Sequence, residues 1–206
     1  SGEEVNETGC SSSQVDTDGD GITDDVDLCS DTPSGVVVDS NGCERLTYIP
    51  DDDFEQLLIN KGIDDVLDDY VKTENINKID NFQLNGSGII VKDLEGLQDF
   101  ESLTYLDISG NFLPDVCLPS LENLTYLGCY NNFIEKIDIS NLVNLEQVLL
   151  NNNNLVEVDF SNNNNLTQIS INSNKLTSLN TFGLTELISV RFWSNDITSL
   201  DFSDNL

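Results

Sequence analysis

Leu103-Thr104-Tyr105-Leu106-Asp107-Ile108-Ser109-Gly110-Asn111-Phe112-Leu113 decides the fold, because its pattern returns every 21 residues. Leu103, Leu106, Ile108, Asn111 and Leu113 recur as Leu124, Leu127, Cys129, Asn132 and Ile134, then as Leu145, Val148, Leu150, Asn153 and Leu155. Two further copies follow, Leu166, Ile169, Ile171, Asn174, Leu176 and Leu187, Val190, Phe192, Asn195, Ile197. Behind the Asn a second half also repeats, as in Ile137-Asp138-Ile139-Ser140-Asn141, Val158-Asp159-Phe160-Ser161-Asn162 and Leu200-Asp201-Phe202-Ser203-Asp204. A unit this short cannot bury its own apolar face, so the copies must stack, each covering the leucines of its neighbour. Each turn then supplies one short strand, and the strands pair as a parallel sheet about 4.8 Å apart. Strand alternation sends Leu106 and Ile108 inward and Tyr105, Asp107 and Ser109 outward. The five aligned asparagines fall where the chain bends away from the strand. An amide both donates to and accepts from open backbone groups, so they read as a structural ladder rather than a ligand site.

The repeat L-x-x-L-x-L-x-x-N-x-L is identified as the leucine-rich-repeat pattern. Outward strand residues of such a solenoid form the surface on which a partner is expected. One column runs Tyr105, Tyr126, Gln147, Gln168, Ser189, the next Asp107, Gly128, Leu149, Ser170, Arg191, and the third Ser109, Tyr130, Asn151, Asn172, Trp193. Tyr105, Tyr126, Tyr130, Leu149, Arg191 and Trp193 are the candidate partner-binding residues, because large aromatic and Arg side chains dominate binding energetics.

Composition narrows the chemistry. The formal charge of -30, from 8 basic and 38 acidic residues among 206, makes nucleic acid or an anionic membrane surface a poor partner. There is no histidine, which removes the commonest general base and transition-metal ligand. No apolar run reaches the roughly 18 residues that a membrane span needs. The chain opens on Ser1, with no methionine and no signal-like segment, which reads as a processed or trimmed start and leaves export open.

Residues 1–45 carry 12 acidic residues against one base, Arg45, and few large apolar side chains, so a hydrophobic core cannot hold them. Asp16, Asp18, Asp20, Gly21, Asp24 and Asp27 occupy positions 1, 3, 5, 6, 9 and 12 of a twelve-residue loop, with the Ile22 carbonyl at position 7. Oxygen ligands at those intervals, with Gly at the sharp turn, suit Ca²⁺; the Asp at position 12 and the lack of flanking amphipathic helices argue against an EF-hand. The stretch D-T-D-G-D-G-I-T-D-D-V-D-L-C-S-D-T-P-S-G-V-V-V-D-S-N-G-C, residues 16–43, resembles a thrombospondin type 3 repeat of the kind that serves as a calcium-stiffened spacer in bacterial surface proteins. That resemblance implies a Cys29–Cys43 disulfide. Residues 2–10 align with residues 35–43, so Cys10 resembles the closing cysteine of a preceding unit, and more of a parent chain is expected at both ends. Cys129 takes a strand core position and reads as a small buried hydrophobe, while Cys117 stands where later copies have Asp138 and Asp159.

A solenoid needs its first turn covered. Asp52 with Glu55 reads as a capping pair, Phe54, Leu57 and Leu58 as the buried helix face and Gly62 as the stop, with a second amphipathic piece at Val66, Leu67, Tyr70 and Val71. The segment I-P-D-D-D-F-E-Q-L-L-I is similar to the opening of secreted flavobacterial leucine-rich-repeat proteins, and the 21-residue repeats resemble those of internalin adhesins. Ile79, Phe82 and Leu84 read as a degenerate first copy, with an insertion at Gly86-Ser87-Gly88.

The expected fold class is an α/β repeat protein. It comprises a leucine-rich-repeat solenoid with a parallel β-sheet (82–206), a helical N-terminal cap (46–81) and a small calcium-bound, disulfide-linked module (1–45). The expected function is non-enzymatic: a secreted or cell-surface recognition or adhesion module that presents a binding face to an extracellular protein or glycan. The alternative is a structural spacer for another domain. No pair of acids stands in the apolar setting that glycosidase-type catalysis needs.

Overall fold

The computed structural model describes residues 11–84, 90–203 and 205. Residues 11–45 form turns joined by the Cys29–Cys43 disulfide, with Cα atoms 5.1 Å apart, and by an antiparallel bridge between Val38 and Glu44. The chain then forms strand β1 (Leu46–Tyr48), helix α1 (Asp52–Asn60), strand β2 (Tyr70–Lys72), antiparallel to β1, and the single helical turn α2 (Thr73–Ile76).

Helix α1 starts one residue earlier than the expected capping pair. Asp51 is the N-cap: its Oδ1 accepts the Phe54 amide at 2.9 Å. Its Oδ2 accepts the amides of Lys92 and Asp93, fastening the helix start to the chain entering the coil. The helix ends as the Gly62 signal predicts. Gly62 takes φ +70, its amide reaches Ile59, and the Ile63 amide reaches Leu58, which together satisfy the last carbonyls.

The second amphipathic piece is corrected. Val66 and Leu67 are exposed, and Tyr70 and Val71 lie in an extended strand. The cause is Glu55, which is fully buried and accepts the amides of Asp68, Asp69 and Tyr70 instead of turning back to its own helix start. Asp69 adopts φ +69 between these bonds, outside the right-handed helical region, and Tyr70 and Val71 go on to pair with β1.

Six short strands make one parallel sheet: β3 (Asn81–Gln83), β4 (Tyr105–Asp107), β5 (Tyr126–Gly128), β6 (Gln147–Leu149), β7 (Gln168–Ser170) and β8 (Ser189–Arg191), in that order. From β4 onward every residue pairs with the one 21 positions ahead, as in Tyr105 with Tyr126 and Leu106 with Leu127. Strand β3 pairs with β4 at an offset of 24, which is where the regular period fails. The expected insertion at Gly86-Ser87-Gly88 lies outside the described residues. Under the sheet Leu106, Ile108, Leu127, Cys129, Val148, Leu150, Ile169 and Ile171 are fully buried, while Phe54 from α1 closes the first turn against Phe82 and Phe100.

The asparagine ladder is a chain of bonds from turn to turn. Each side-chain amide donates twice, once within its own turn and once to the turn before: Asn132 to Cys129 and Ile108, Asn153 to Leu150 and Cys129, Asn174 to Ile171 and Leu150. Each Oδ1 then accepts a backbone amide of the preceding turn, Leu113 to Asn132, Ile134 to Asn153 and Leu155 to Asn174. The bend that makes this possible puts the residue before the Asn in the left-handed region, at Gly110, Asn131, Asn152, Ser173 and Ser194. A second, exposed ladder joins Asn123, Asn144 and Asn165 to carbonyls one turn back. Asn163, which stands where neighbouring copies have Leu142 and Leu184, is also fully buried and donates to Ile139 and Leu142.

Candidate functional site

Two regions hold the residues singled out above. The first is the outward face of the sheet. At its N-terminal end the rings of Tyr105 and Tyr126 stack with centroids 4.1 Å apart and planes 3° from parallel. One-turn stacking forces this, since the two residues are direct pairing partners on adjacent strands. The Tyr126 phenol is pushed well above its ordinary pKa, first by burial and then by its hydrogen bond with Tyr105.

Gly128 follows two residues after Tyr126 and faces outward beside Asp107. A Cβ at Gly128 would lie 3.0 Å from Asp107 Oδ1 and 3.3 Å from the Tyr126 ring, so the carboxylate occupies the space that a larger side chain would fill. Alternation along the strand predicts an outward Asp107. It lies on that face but is only 5% exposed, and its Oδ1 accepts the Ser109 amide. Tyr130 and Leu149 are half-buried around the same spot. Arg191 and Trp193 stand exposed on and after β8, three turns further along, with Trp193 58% accessible. Between them Ser170 donates toward Asn151 and Asn172, forming a polar middle. Sequence reasoning missed the Asp107 burial, because it depends on the missing side chain of a residue one turn away.

The second region is the acidic loop. One carboxylate oxygen from each of Asp16, Asp18 and Asp20 lies within 4.8 Å of the others. Asp16 accepts the amides of Gly19 and Gly21, Asp18 those of Asp20 and Thr32, and Asp20 that of Ile22, so the loop backbone aims these side chains together. Asp20 Oδ2 is buried without a hydrogen-bond partner. Asp27 approaches from the other side: a Cβ on Gly42 would sit 2.1 Å from Asp27 Oδ1 and 3.1 Å from Asp20 Oδ2, and Gly42 takes φ +76. Asp24 turns elsewhere, both oxygens bound to Thr17 at 2.8 Å. Like charges this close repel strongly unless a cation lies between them, and an all-oxygen set around an orphaned buried oxygen fits a hard divalent ion.

Cys117 is exposed and Cys129 buried, and neither is bonded to another cysteine among the described residues; Cys10 lies outside them. Burial, and then the nearby Asp107 charge, push the Cys129 thiol far above its ordinary pKa. A disulfide-exchange reagent is therefore expected to modify Cys117 in the native protein and Cys129 only on unfolding. The unfolded chain ionises Cys129 above about pH 9 while the folded chain keeps it neutral. The stability this contributes is complete below that pH and declines as pH rises beyond it, which urea titrations between pH 7 and 10.5 would read.

No protein-family model matches the chain. The outer membrane porin F of Pseudomonas aeruginosa is 61% identical over 34 residues, 16% of this chain and 10% of the porin. Among solved structures, an internalin of Listeria monocytogenes superposes with a TM-score of 0.54 at 23% identity, covering 69% of this chain and 49% of that one. The leucine-rich-repeat domain of APL1B gives 0.51 at 21% identity, covering 59% and 40%. The chain thus spans about half the length of these solved proteins, or less. These likenesses define the fold, a parallel-sheet solenoid of the leucine-rich-repeat class with about five turns. Among the described residues no helix is long and apolar enough to cross a membrane.

Proposed function

We propose that the protein is a non-enzymatic recognition module of the cell exterior, in which a calcium-braced segment carries a leucine-rich-repeat face that binds a protein or glycan. The carrying observation is the aromatic outer face: the Tyr105–Tyr126 stack and Tyr130 at one end, Trp193 and Arg191 at the other, fixed by a ladder-bonded sheet. Rigid aromatic anchors lose little conformational entropy on binding. The Cys29–Cys43 bridge favours an oxidising, secreted or cell-surface location. Screening against protein and glycan arrays tests the reading: hits should weaken at least about tenfold with Trp193→Ala or Tyr126→Ala. Hits indifferent to both changes would overturn it.

In this reading Asp16, Asp18, Asp20 and Asp27 hold Ca²⁺ with the Ile22 carbonyl, while Asp24 accepts both bonds from Thr17. The ion neutralises the carboxylates and stiffens residues 16–43. Calorimetric titration with calcium chloride should show saturable binding that is lost in an Asp18→Asn, Asp20→Asn double variant. Ion bound only by the folded loop adds about 2.7 kcal/mol at a hundredfold excess over Kd. Chelation should then speed reduction of Cys29–Cys43 while the sheet stays folded. No heat and no change in reduction rate at millimolar calcium would remove calcium from the account.

The alternative, a structural spacer, draws on the junction. Arg45 pairs with Asp99 and Glu101, Lys72 pairs with Glu44 at 2.9 Å, and Thr47 bonds both Thr73 and Asp99, so the acidic segment is clamped to the solenoid at a defined angle.

A further inference from the structure

In this solenoid the asparagines that serve the fold spend their amides on it: Asn132 and its ladder partners donate within their own turn and to the turn before, and Asn123, Asn144 and Asn165 donate one turn back. Four amides in the middle of the outer face are not spent this way. Gln147 and Gln168 are direct pairing partners on β6 and β7, and neither side chain makes a hydrogen bond within the protein among the described residues. Asn151 and Asn172 stand two residues past Leu149 and Ser170. The Ser170 hydroxyl lies 3.3 and 3.0 Å from their Oδ1 atoms, and neither amide nitrogen donates within the protein among the described residues. Tyr130 stands one turn before Asn151 and Trp193 one turn after Asn172, so one line across the strands reads aromatic, amide, amide, aromatic. At about 4.8 Å per strand this line is about 14 Å long. The line also lacks charge. In the three outward columns over β4 to β8 only Asp107 and Arg191 are charged, and Asp107 is buried, although the chain carries 38 acidic residues.

A carboxamide offers a donor and an acceptor side by side, which matches two neighbouring hydroxyls. The face of an aromatic ring is its negative side and receives the polarised C–H groups of a sugar ring. A protein partner asks for the opposite layout, an apolar centre with a polar rim. Here the centre is four amides around Leu149 and Ser170, and the aromatic rings stand at the ends. We infer that the outer face binds a neutral oligosaccharide laid across the strands, with sugar rings against Tyr130 and Trp193 and hydroxyls on Gln147, Asn151, Gln168 and Asn172. This rests on the sheet-face recognition proposed above and names the class of its ligand.

Trp193 is the single tryptophan of the chain, so its fluorescence reports this face alone. The full chain is titrated with cellohexaose, maltohexaose and mannohexaose as neutral probes, and with hexagalacturonate and the chitosan hexamer as charged comparators. At least one neutral probe should change the Trp193 emission saturably, and equally at low and high salt, while the charged comparators bind at least about tenfold more weakly. Gln168→Ala and Asn172→Ala, whose side chains bond no backbone group among the described residues, should each weaken the neutral probe about tenfold. Asn141→Ala, an exposed amide off the sheet, should leave it unchanged. Silence from all three neutral probes, tighter binding of a charged comparator, or indifference to both face variants would each overturn the inference. Protein-array hits that need Trp193 while every saccharide stays silent would overturn the neutral glycan and leave sheet-face recognition in place; array hits indifferent to Trp193 and Tyr126 would remove the two together.

Discussion

Asn132→Ala is expected to lower the unfolding free energy by about 3 to 5 kcal/mol and the melting temperature by about 10 °C. The side chain is buried, donates to the carbonyls of Ile108 and Cys129, and accepts the amides of Asn111 and Leu113. The two carbonyls keep other donors, because Asn111 also reaches Ile108 and Asn153 also reaches Cys129. The two amides do not, and each orphaned buried donor costs about 1 to 3 kcal/mol. Asn123→Ala is the control: it is exposed, makes one bond to Glu101, and should cost under about 1 kcal/mol. Urea unfolding of both variants measures the difference, and equal losses would show that the aligned asparagines are not the ladder described.

Phe100→Ala should cost about as much, 3 to 5 kcal/mol, by a different mechanism. Its ring is fully buried, 4.9 Å from Phe82 and 6.2 Å from Phe54, so its removal leaves a cavity where α1 meets the first strand of the sheet. Hydrogen exchange should speed up in α1 and β3 while the amides of β6 and β7 keep their protection, because each turn of a solenoid contacts only its neighbours. Uniform loss of protection along the chain would contradict that locality.

These two residues mark the limits of what could be read in advance. The Asn132 period was legible because every copy faces the same environment one turn away, so a local pattern reports a tertiary bond. Phe100 shares the period of Leu121 and Leu142, but its partner Phe54 lies in α1 outside the repeats, and Glu55 has no repetition at all. Glu55 reads as a helix-start residue until Asp68, Asp69 and Tyr70 bring their amides to it from outside the helix, and the extended form of Tyr70 and Val71 follows from that contact together with the pairing of β2 to β1. Asn163 was hidden because it stands in a leucine position, where its amide nitrogen bonds two carbonyls and its oxygen is buried without a hydrogen-bond partner. On the outer face the columns were placed by alternation, but the burial of Asp107 arises from Gly128 on the neighbouring strand, whose missing side chain leaves room for the carboxylate. In the acidic loop, spacing put Asp24 beside the other carboxylates, whereas Thr17 turns both of its oxygens aside.

The proposed binding face and the junction at Arg45 both depend on a coil whose turns are fastened to one another by asparagine side chains. Site-resolved amide exchange of the unmodified protein tests this most directly. The amides of Leu113, Ile134 and Leu155, each donated to the asparagine one turn ahead, should be protected as strongly as those inside β5 and β6. Exchange of these three at the rate of an open loop, with the strand amides still protected, would contradict the account.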